Sequence, residues 1–433
     1  MKKITNRALS VILICALVIG LLGIFIYKDF LKGKDWALYF GAYNSASEGT
    51  ILDRNGIALA RFDGASSTFS DDTKTRIANY HVTGDYWGRT GTGLLSRYWQ
   101  TSQNYNFYEG TTNSVVSTLN LTIDANINNR AYTLLRENGK GCIMMCNYRT
   151  GEVIAMVSSP SVDPLDSEGE VEDGAYINRC LSAAFVPGST FKLITAAAAI
   201  ENIPDLEGMT FNCEEEYDVA GVKIKCTVAH GEQTFEEALA NSCNCAFARI
   251  AVMLGQDTMI KYVTDYGILE SHDLNGISCA KGNYPLEFVG DPELAWSGIG
   301  QSTDQVCPYT MLRYVCAIAG GGTLIEPTLI KSEDTPAQYE IMDPQTAVRM
   351  KSLMANNVKS HYEGEVNFPG LNLCAKTGTA ETGVGDNAHS WFVGFLDDET
   401  HPYAFVALVE NGGFGLWTAG LMMNDLLQYA VAR

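Results

Sequence analysis

Cys142-Ile143-Met144-Met145-Cys146 and Val153-Ile154-Ala155-Met156-Val157 are two apolar runs of strand length flanking the turn Tyr148-Arg149-Thr150-Gly151. Unbroken apolar character, without alternation, predicts a hairpin buried on both faces of a sheet. Just upstream, Thr122-Ile123-Asp124 leads into a helical run ending near Glu137. Downstream, residues 178–357 are rich in helical patterning, and Thr234-Phe235-Glu236-Glu237 is a capping box that opens one helix. Strand-like runs return at Leu371–Thr379, Ser390–Leu396 and Ala404–Glu410, and Leu421–Val431 has the pattern of a closing amphipathic helix. Strands at both ends with helices between them predict one antiparallel sheet with a helical subdomain. The class is α+β, not a doubly wound α/β fold.

Before this unit, residues 28–117 are polar and rich in Gly, Thr and Tyr, without long helical periodicity. Asp53-Arg54-Asn55-Gly56 lies between Ile51-Leu52 and Ile57-Ala58-Leu59-Ala60, a hairpin signal. A small β-rich stalk is expected there. Ala8 to Tyr27 is an uncharged apolar run; at about 1.5 Å per residue it spans roughly 30 Å, one bilayer core. Lys2, Lys3 and Arg7 precede the run and place the N-terminus in the cytoplasm, although Lys28, Lys32 and Lys34 follow it. The alternative is a cleaved signal peptide, but the run is long and no Ala-x-Ala-like site follows Tyr27. The expected organisation is a cytoplasmic tail (1–7), a single-pass anchor (8–27), a stalk (28–117) and a catalytic domain (118–433) outside the cell membrane.

The 433 residues carry 30 Lys+Arg against 50 Asp+Glu, a net charge of −20. Such acidity would repel phosphates and argues against a nucleic-acid partner. Twelve cysteines are present, none in a Cys-x-x-Cys pair, so the spacing signals no zinc or redox site. Cys213 and Cys226 flank a short hairpin-like insert and could pair. The preferred reading is that most cysteines are small buried apolar residues.

Three short motifs carry chemistry, in the order Ser189-Thr190-Phe191-Lys192, Ser242-Cys243-Asn244 and Lys376-Thr377-Gly378-Thr379. Serine needs a neighbouring base to act as a nucleophile. At a helix start, Ser189 and Lys192 share one face, and Pro187-Gly188 stops the preceding chain. The run Phe191 to Ile200 is apolar enough for burial, which lowers a lysine pKa and lets Lys192 accept the Ser189 proton. Ser278-Cys279-Ala280-Lys281 also fits the first spacing, but Gly282, Asn283 and Pro285 deny it a helix. Ser102-Gln103-Asn104 fits the second. Ser242 is preferred because it sits at a break between two helices, where Ser242 can relay a proton and Asn244 can hold a substrate amide; the alternative is an ordinary helix–helix turn. On the late strand, Gly378 permits close backbone approach, Lys376 supplies positive charge, and the Thr377 and Thr379 hydroxyls suit a terminal carboxylate. The strand edge, with the Ser189 N–H, offers donors to an oxyanion. Together the three motifs match the set of β-lactamases and penicillin-binding proteins, with Cys243 in the variable middle position.

With these motifs, the chain resembles the class B penicillin-binding proteins. The resemblance extends through Gly49-Thr50-Ile51-Leu52-Asp53-Arg54-Asn55-Gly56, Thr150-Gly151-Glu152-Val153-Ile154-Ala155-Met156, Phe185-Val186-Pro187-Gly188, Gly298-Ile299-Gly300-Gln301 and Ala375 to Glu381. It implies a penicillin-binding, serine β-lactamase-like fold and a peptidoglycan D,D-transpeptidase. Ser189 would attack the D-Ala-D-Ala bond of a stem peptide, release D-Ala and pass the acyl group to an amine; β-lactams would acylate Ser189. It also implies a polytopic glycosyltransferase partner of the shape, elongation, division and sporulation group. The stalk is shorter than in many class B members, as in compact forms associated with elongation or sporulation, and no segment before it is large enough for a glycosyltransferase domain.

Within the same chemistry, a D,D-carboxypeptidase or a β-lactamase would hand the acyl group to water. A non-catalytic penicillin-binding sensor is the reading outside enzymes, and the seven residues before the span leave it no effector. No cofactor or metal is expected: His-x-x-x-His, Gly-x-Gly-x-x-Gly and Gly-x-Ser-x-Gly are all absent. His389, before a late strand, lies near the cleft or is structural.

Overall fold

In the computed structural model, Gly141–Asn147 and Val153–Ser159 pair antiparallel, and Cys142 to Cys146 are fully buried. The structure describes residues 2–26, 49–62, 67–85, 87–95, 103–106, 110–113, 118–166, 169–285, 287, 290–382 and 388–433. The hairpin joins Leu373–Glu381, Ala388–Leu396 and Tyr403–Val409 in a five-stranded antiparallel sheet. Val406 pairs with Met144, and Lys376 with Val393, so segments more than 200 residues apart in the sequence share one ladder.

Both faces of the sheet are covered, which explains the apolar runs. On one face, Ile127 and Leu134 of the helix Ala125–Asn138 and Met423 and Leu427 of Leu421–Val431 pack with Phe392 and Phe405. Their burial supplies about 1.5–3 kcal/mol per side chain. On the other face, Leu193, Ile194, Tyr314 and their neighbours form the helical lobe with Met144, Trp391 and Val406. The lobe is less purely helical than its sequence suggests. Between Lys192–Asn202 and Phe235–Ala240 lie two short ladders, Thr210–Cys213 with Gly231–Thr234 and Glu216–Val219 with Val222–Lys225. The capping box is formed: Thr234 Oγ1 accepts from the Glu237 N–H, and the Glu237 carboxylate accepts from the Thr234 N–H.

Upstream, Gly49–Leu52 and Ala58–Phe62 make the expected hairpin, and Thr118–Asn120 pairs parallel with the first of these strands. Thr73–Thr83 is a helix in a stretch read as β-rich. Its buried residues mix Thr75, Asn79, His81 and Thr83 with Ala78, Tyr80 and Val82, so no clean apolar stripe marks it. Hydrogen bonds serve the polar ones: Asp72 caps the Thr75 N–H at 2.9 Å, and Asn128 donates to Asn79 at 2.9 Å. The helix Lys2–Phe25 contains the 19-residue segment Arg7–Phe25, the only helix among the described residues long and apolar enough to cross a membrane. Tyr27, the three lysines that follow it and Ser102 lie outside the described residues.

All twelve cysteines are free thiols, Cys213 and Cys226 included, and all but Cys15 and Cys226 are buried. Ser278 ends a two-residue strand, so the duplicate of the first motif has no helix.

Candidate active site

The loop before Ser189 is forced by close packing. Gly188 has φ +52, and a Cβ there would stand 2.9 Å from the Thr379 carbonyl oxygen. Glycine alone meets both demands. A 3₁₀ turn, Gly188–Phe191, then runs into Lys192–Asn202, setting Ser189 and Lys192 on one face. The indole N–H of Trp391 donates to the Val186 carbonyl at 2.9 Å and ties this loop to the sheet.

Ser242 ends the helix Phe235–Ala240 with φ +52, a left-handed conformation that side chains rarely adopt. The chain therefore turns sharply before Asn244–Leu254, presenting the Ser242 carbonyl and hydroxyl to the lysines. Asn244 Nδ2 donates to the Lys225 carbonyl at 2.9 Å, which leaves Oδ1 facing Lys192 at 2.7 Å.

These placements suit Lys192 to act as a base. Its Nζ lies 3.1 Å from Ser189 Oγ, and it donates to Asn244 Oδ1 and to the Ser242 carbonyl. Both carbonyl oxygens can only accept. A neutral amine has two N–H bonds and one lone pair, so two acceptors use its hydrogens and the lone pair remains for the Ser189 hydroxyl. Complete burial favours that neutral form and lowers the Lys192 pKa to about 8.

Lys376 is also fully buried, with Nζ 2.9 Å from Ser242 Oγ and 3.0 Å from the Thr377 carbonyl. Burial first, and then the charge of Lys192, hold it well below the ordinary lysine range. Ser242 Oγ sits between two amines, at 3.3 and 2.9 Å, which cannot both be charged cheaply. An arriving carboxylate would favour the charged form of Lys376.

Along the strand, residues alternate between faces. A Cβ on Gly378 would meet Thr190 Cγ2 at 2.9 Å and the Pro187 carbonyl at 3.0 Å, so close approach requires glycine there. The Thr377 N–H donates to the Tyr362 hydroxyl at 3.1 Å and so points away from the neighbouring strand. Two residues on, the Thr379 N–H faces the same open edge, beside Gly188. Thr377 Oγ1 meets the Tyr362 hydroxyl at 3.1 Å, and Thr379 Oγ1 accepts from the Gly415 N–H at 3.2 Å. Ser189, Lys192, Ser242, Asn244 and Lys376 are thus brought together, with Thr377, Gly378 and Thr379 on the adjoining strand edge.

Sequence reading missed Tyr362 and Asn357, which brace that edge; Asn357 Nδ2 donates to the Ala375 carbonyl at 3.0 Å. Neither stands in a recognisable spacing. His389 accepts from the Asn411 N–H and packs edge-on against Phe185, a structural position. The sequence spacing signals no metal site, yet folding gathers four side chains of ligand type. Sγ of Cys213, Cys226 and Cys243 and a ring nitrogen of His230 lie within 4.8 Å of one another. Twelve, three and twelve residues separate them in the sequence, so they form no Cys-x-x-Cys pair.

Residues 141–428 match the model of the penicillin binding protein transpeptidase domain. The chain is similar to the stage V sporulation protein D of Bacillus subtilis, 28% identical over 61% of this chain and 44% of that protein. It is equally similar to the peptidoglycan D,D-transpeptidase PbpA of Mycobacterium tuberculosis, 28% identical over 65% of this chain and 64% of that one. The match thus spans less than two thirds of either relative. In fold it is similar to penicillin-binding protein A from M. tuberculosis in its penicillin G acyl-enzyme complex. That likeness has a TM-score of 0.75 and 23% identity, covering 89% of this chain and 99% of the other.

Proposed function

Because this chain belongs to the penicillin-binding protein transpeptidase family, in its class B branch, we propose that it is a serine D,D-transpeptidase crosslinking peptidoglycan stem peptides. The observation that carries the reading is the Lys192 amine, 3.1 Å from Ser189 Oγ with two carbonyl oxygens holding its hydrogens.

Lys192 takes the Ser189 proton as Oγ attacks the carbonyl of the D-Ala-D-Ala bond. The Ser189 and Thr379 N–H groups stabilise the oxyanion. Ser242, between the two amines, passes the proton to the leaving nitrogen, and D-Ala departs with its amine complete. An acyl ester on Ser189 remains. Asn244 holds the substrate amide, and Lys376 with the Thr377 and Thr379 hydroxyls receives the terminal carboxylate. The acceptor amine then attacks the ester and returns the hydroxyl proton to Ser189. A β-lactam enters by the same first step, and its opened ring stays attached.

The apolar helix anchors the chain in the membrane, with Lys2, Lys3 and Arg7 on the cytoplasmic side and the catalytic domain (118–433) outside on its stalk (28–117). A polytopic glycosyltransferase that makes the glycan strands is the matching partner.

The test uses the full chain with a synthetic stem peptide ending in D-Ala-D-Ala and an amine acceptor, read by mass spectrometry. The expected products are crosslinked dimer and free D-Ala, both lost in Ser189→Ala. Hydrolysed monomer alone would overturn transpeptidation in favour of a carboxypeptidase.

A further inference from the structure

The geometry points to a structural zinc site formed by Cys213, Cys226, His230 and Cys243, which clasps the turn carrying Ser242 and Asn244. A tetrahedral zinc ion holds sulfur at about 2.3 Å and imidazole nitrogen at about 2.0–2.1 Å, which sets ligand separations of about 3.8 Å between sulfurs and about 3.5 Å from sulfur to nitrogen. His230 Nδ1 lies 3.5 Å from Cys213 Sγ and 3.5 Å from Cys226 Sγ, while Cys226 Sγ lies 3.9 Å from Cys243 Sγ. All four ligand atoms fall within 4.8 Å of one another. Three of the six edges of a coordination tetrahedron are thus already near their ideal lengths. A disulfide would need sulfurs about 2.05 Å apart.

The donor set and its surroundings fit the same ion. Three sulfurs and one imidazole select zinc among common divalent metals, and four protein ligands leave no open position, the mark of a structural site. Backbone N–H groups point at the sulfurs, as they do around metal-bound thiolates: Asn244 N lies 3.3 Å from Cys226 Sγ and Ala246 N lies 3.4 Å from Cys243 Sγ. Cys245, close by, sends its thiol instead to the Ile224 carbonyl at 3.8 Å. Cys213 Sγ also lies 3.7 Å from the Val228 carbonyl, a contact that a thiol, but not a thiolate, would use as a donor. On metal binding each ligating thiol gives its proton to solvent, and His230 binds through neutral Nδ1.

The fold supplies a reason for such a clasp. Cys213 ends one short strand opposite Gly231, the neighbour of His230, and Cys226 follows another short strand. Cys213-x12-Cys226-x3-His230-x12-Cys243 thus gathers two two-stranded ladders and a helix start at one point. Isolated two-stranded ladders are marginal in water. Cys243 stands between Ser242 and Asn244, and the Asn244 N–H rests on Cys226 Sγ, so the clasp positions both motif residues. None of its ligands touches the Lys192 amine in the contacts above.

The test is metal analysis of the purified full chain, with cobalt exchanged for zinc in the wild type. About one zinc per chain is expected, and the cobalt form should show sulfur-to-metal charge transfer with tetrahedral ligand-field bands. Cys213→Ser and His230→Ala should each lose the metal, whereas Cys316→Ala should keep it. The first two should slow acylation by penicillin about 100-fold, the cost of an ångström-scale misplacement. Chelation of the wild type should do the same, and added zinc should reverse it. Absence of zinc with four reactive thiols in this region, a Cys226–Cys243 disulfide, or a cobalt spectrum without sulfur bands would overturn the site. Should the variants fail to fold, the wild-type cobalt spectrum still decides. Normal acylation in a chelated, metal-free chain would overturn the positioning role. Metal content is read without any activity, so failure here is distinct from failure of the transpeptidase reading.

Discussion

The strand Leu373–Glu381 and the turn Ser242–Asn244 face each other across Ser189, yet they are fixed by different means. The strand is held along nine register positions by Ala388–Leu396, while Tyr362 and Asn357 brace its outer edge. Losing one contact leaves it in place. The turn has three residues, one of them in a left-handed conformation, and depends on a few side-chain and sulfur contacts. One half of the site is therefore set by the fold, and the other by local contacts. Stability and catalysis should separate along that line.

The largest effect expected is on the sheet. Phe405 is fully buried, its ring 5.4 Å from that of Phe392. Phe405→Ala should lower the free energy of unfolding by about 3–5 kcal/mol in urea denaturation. The acylation rate per folded molecule should stay within about twofold, since the register pairs that hold the edge remain. A large loss of rate in the folded protein would break the comparison from the strand side.

Next comes the turn. Ser242→Gly removes the hydroxyl between the two amines and relieves the backbone at φ +52. Acylation should slow by about 10²–10³-fold while stability holds or rises slightly. A variant that unfolds without losing rate would show that the turn is a structural element only.

The smallest effect is the pH profile. Burial lowers Lys192 to about 8, and its neutral form is the base. The amine loses its proton as pH rises, so acylation should climb about tenfold per unit up to about 8 and then level. A rate that falls above 8 would mean that Lys192 works as a cation.

The sheet was legible in the sequence because burial on both faces writes itself as unbroken apolar runs at 142–146 and 153–157. The helix Leu421–Val431 was legible through its periodicity, with the observed boundaries. The helix Thr73–Thr83 was hidden because its buried residues mix polar groups held by hydrogen bonds with apolar ones, leaving no clean apolar stripe. In the site, Ser189, Lys192 and Lys376 could be named because their chemistry demands short spacings on one element. Tyr362 and Asn357 act from a separate helix and its end, so no local pattern announces them. The cluster of Cys213, Cys226, His230 and Cys243 has no local signature for a related reason: its members are gathered by folding across gaps of three and twelve residues. The lowered pKa of Lys376 depends on burial beside Lys192 and could not be read from the strand alone.

The convergence of three distant segments on a single reactive hydroxyl is tested most directly by intact-mass and peptide mapping after exposure to benzylpenicillin. Wild-type chain should carry one long-lived adduct of the antibiotic's mass on the peptide containing Ser189, and Ser189→Ala should carry none. An adduct that persists in Ser189→Ala, or rapid destruction of penicillin by the wild type without an accumulating adduct, would contradict the account.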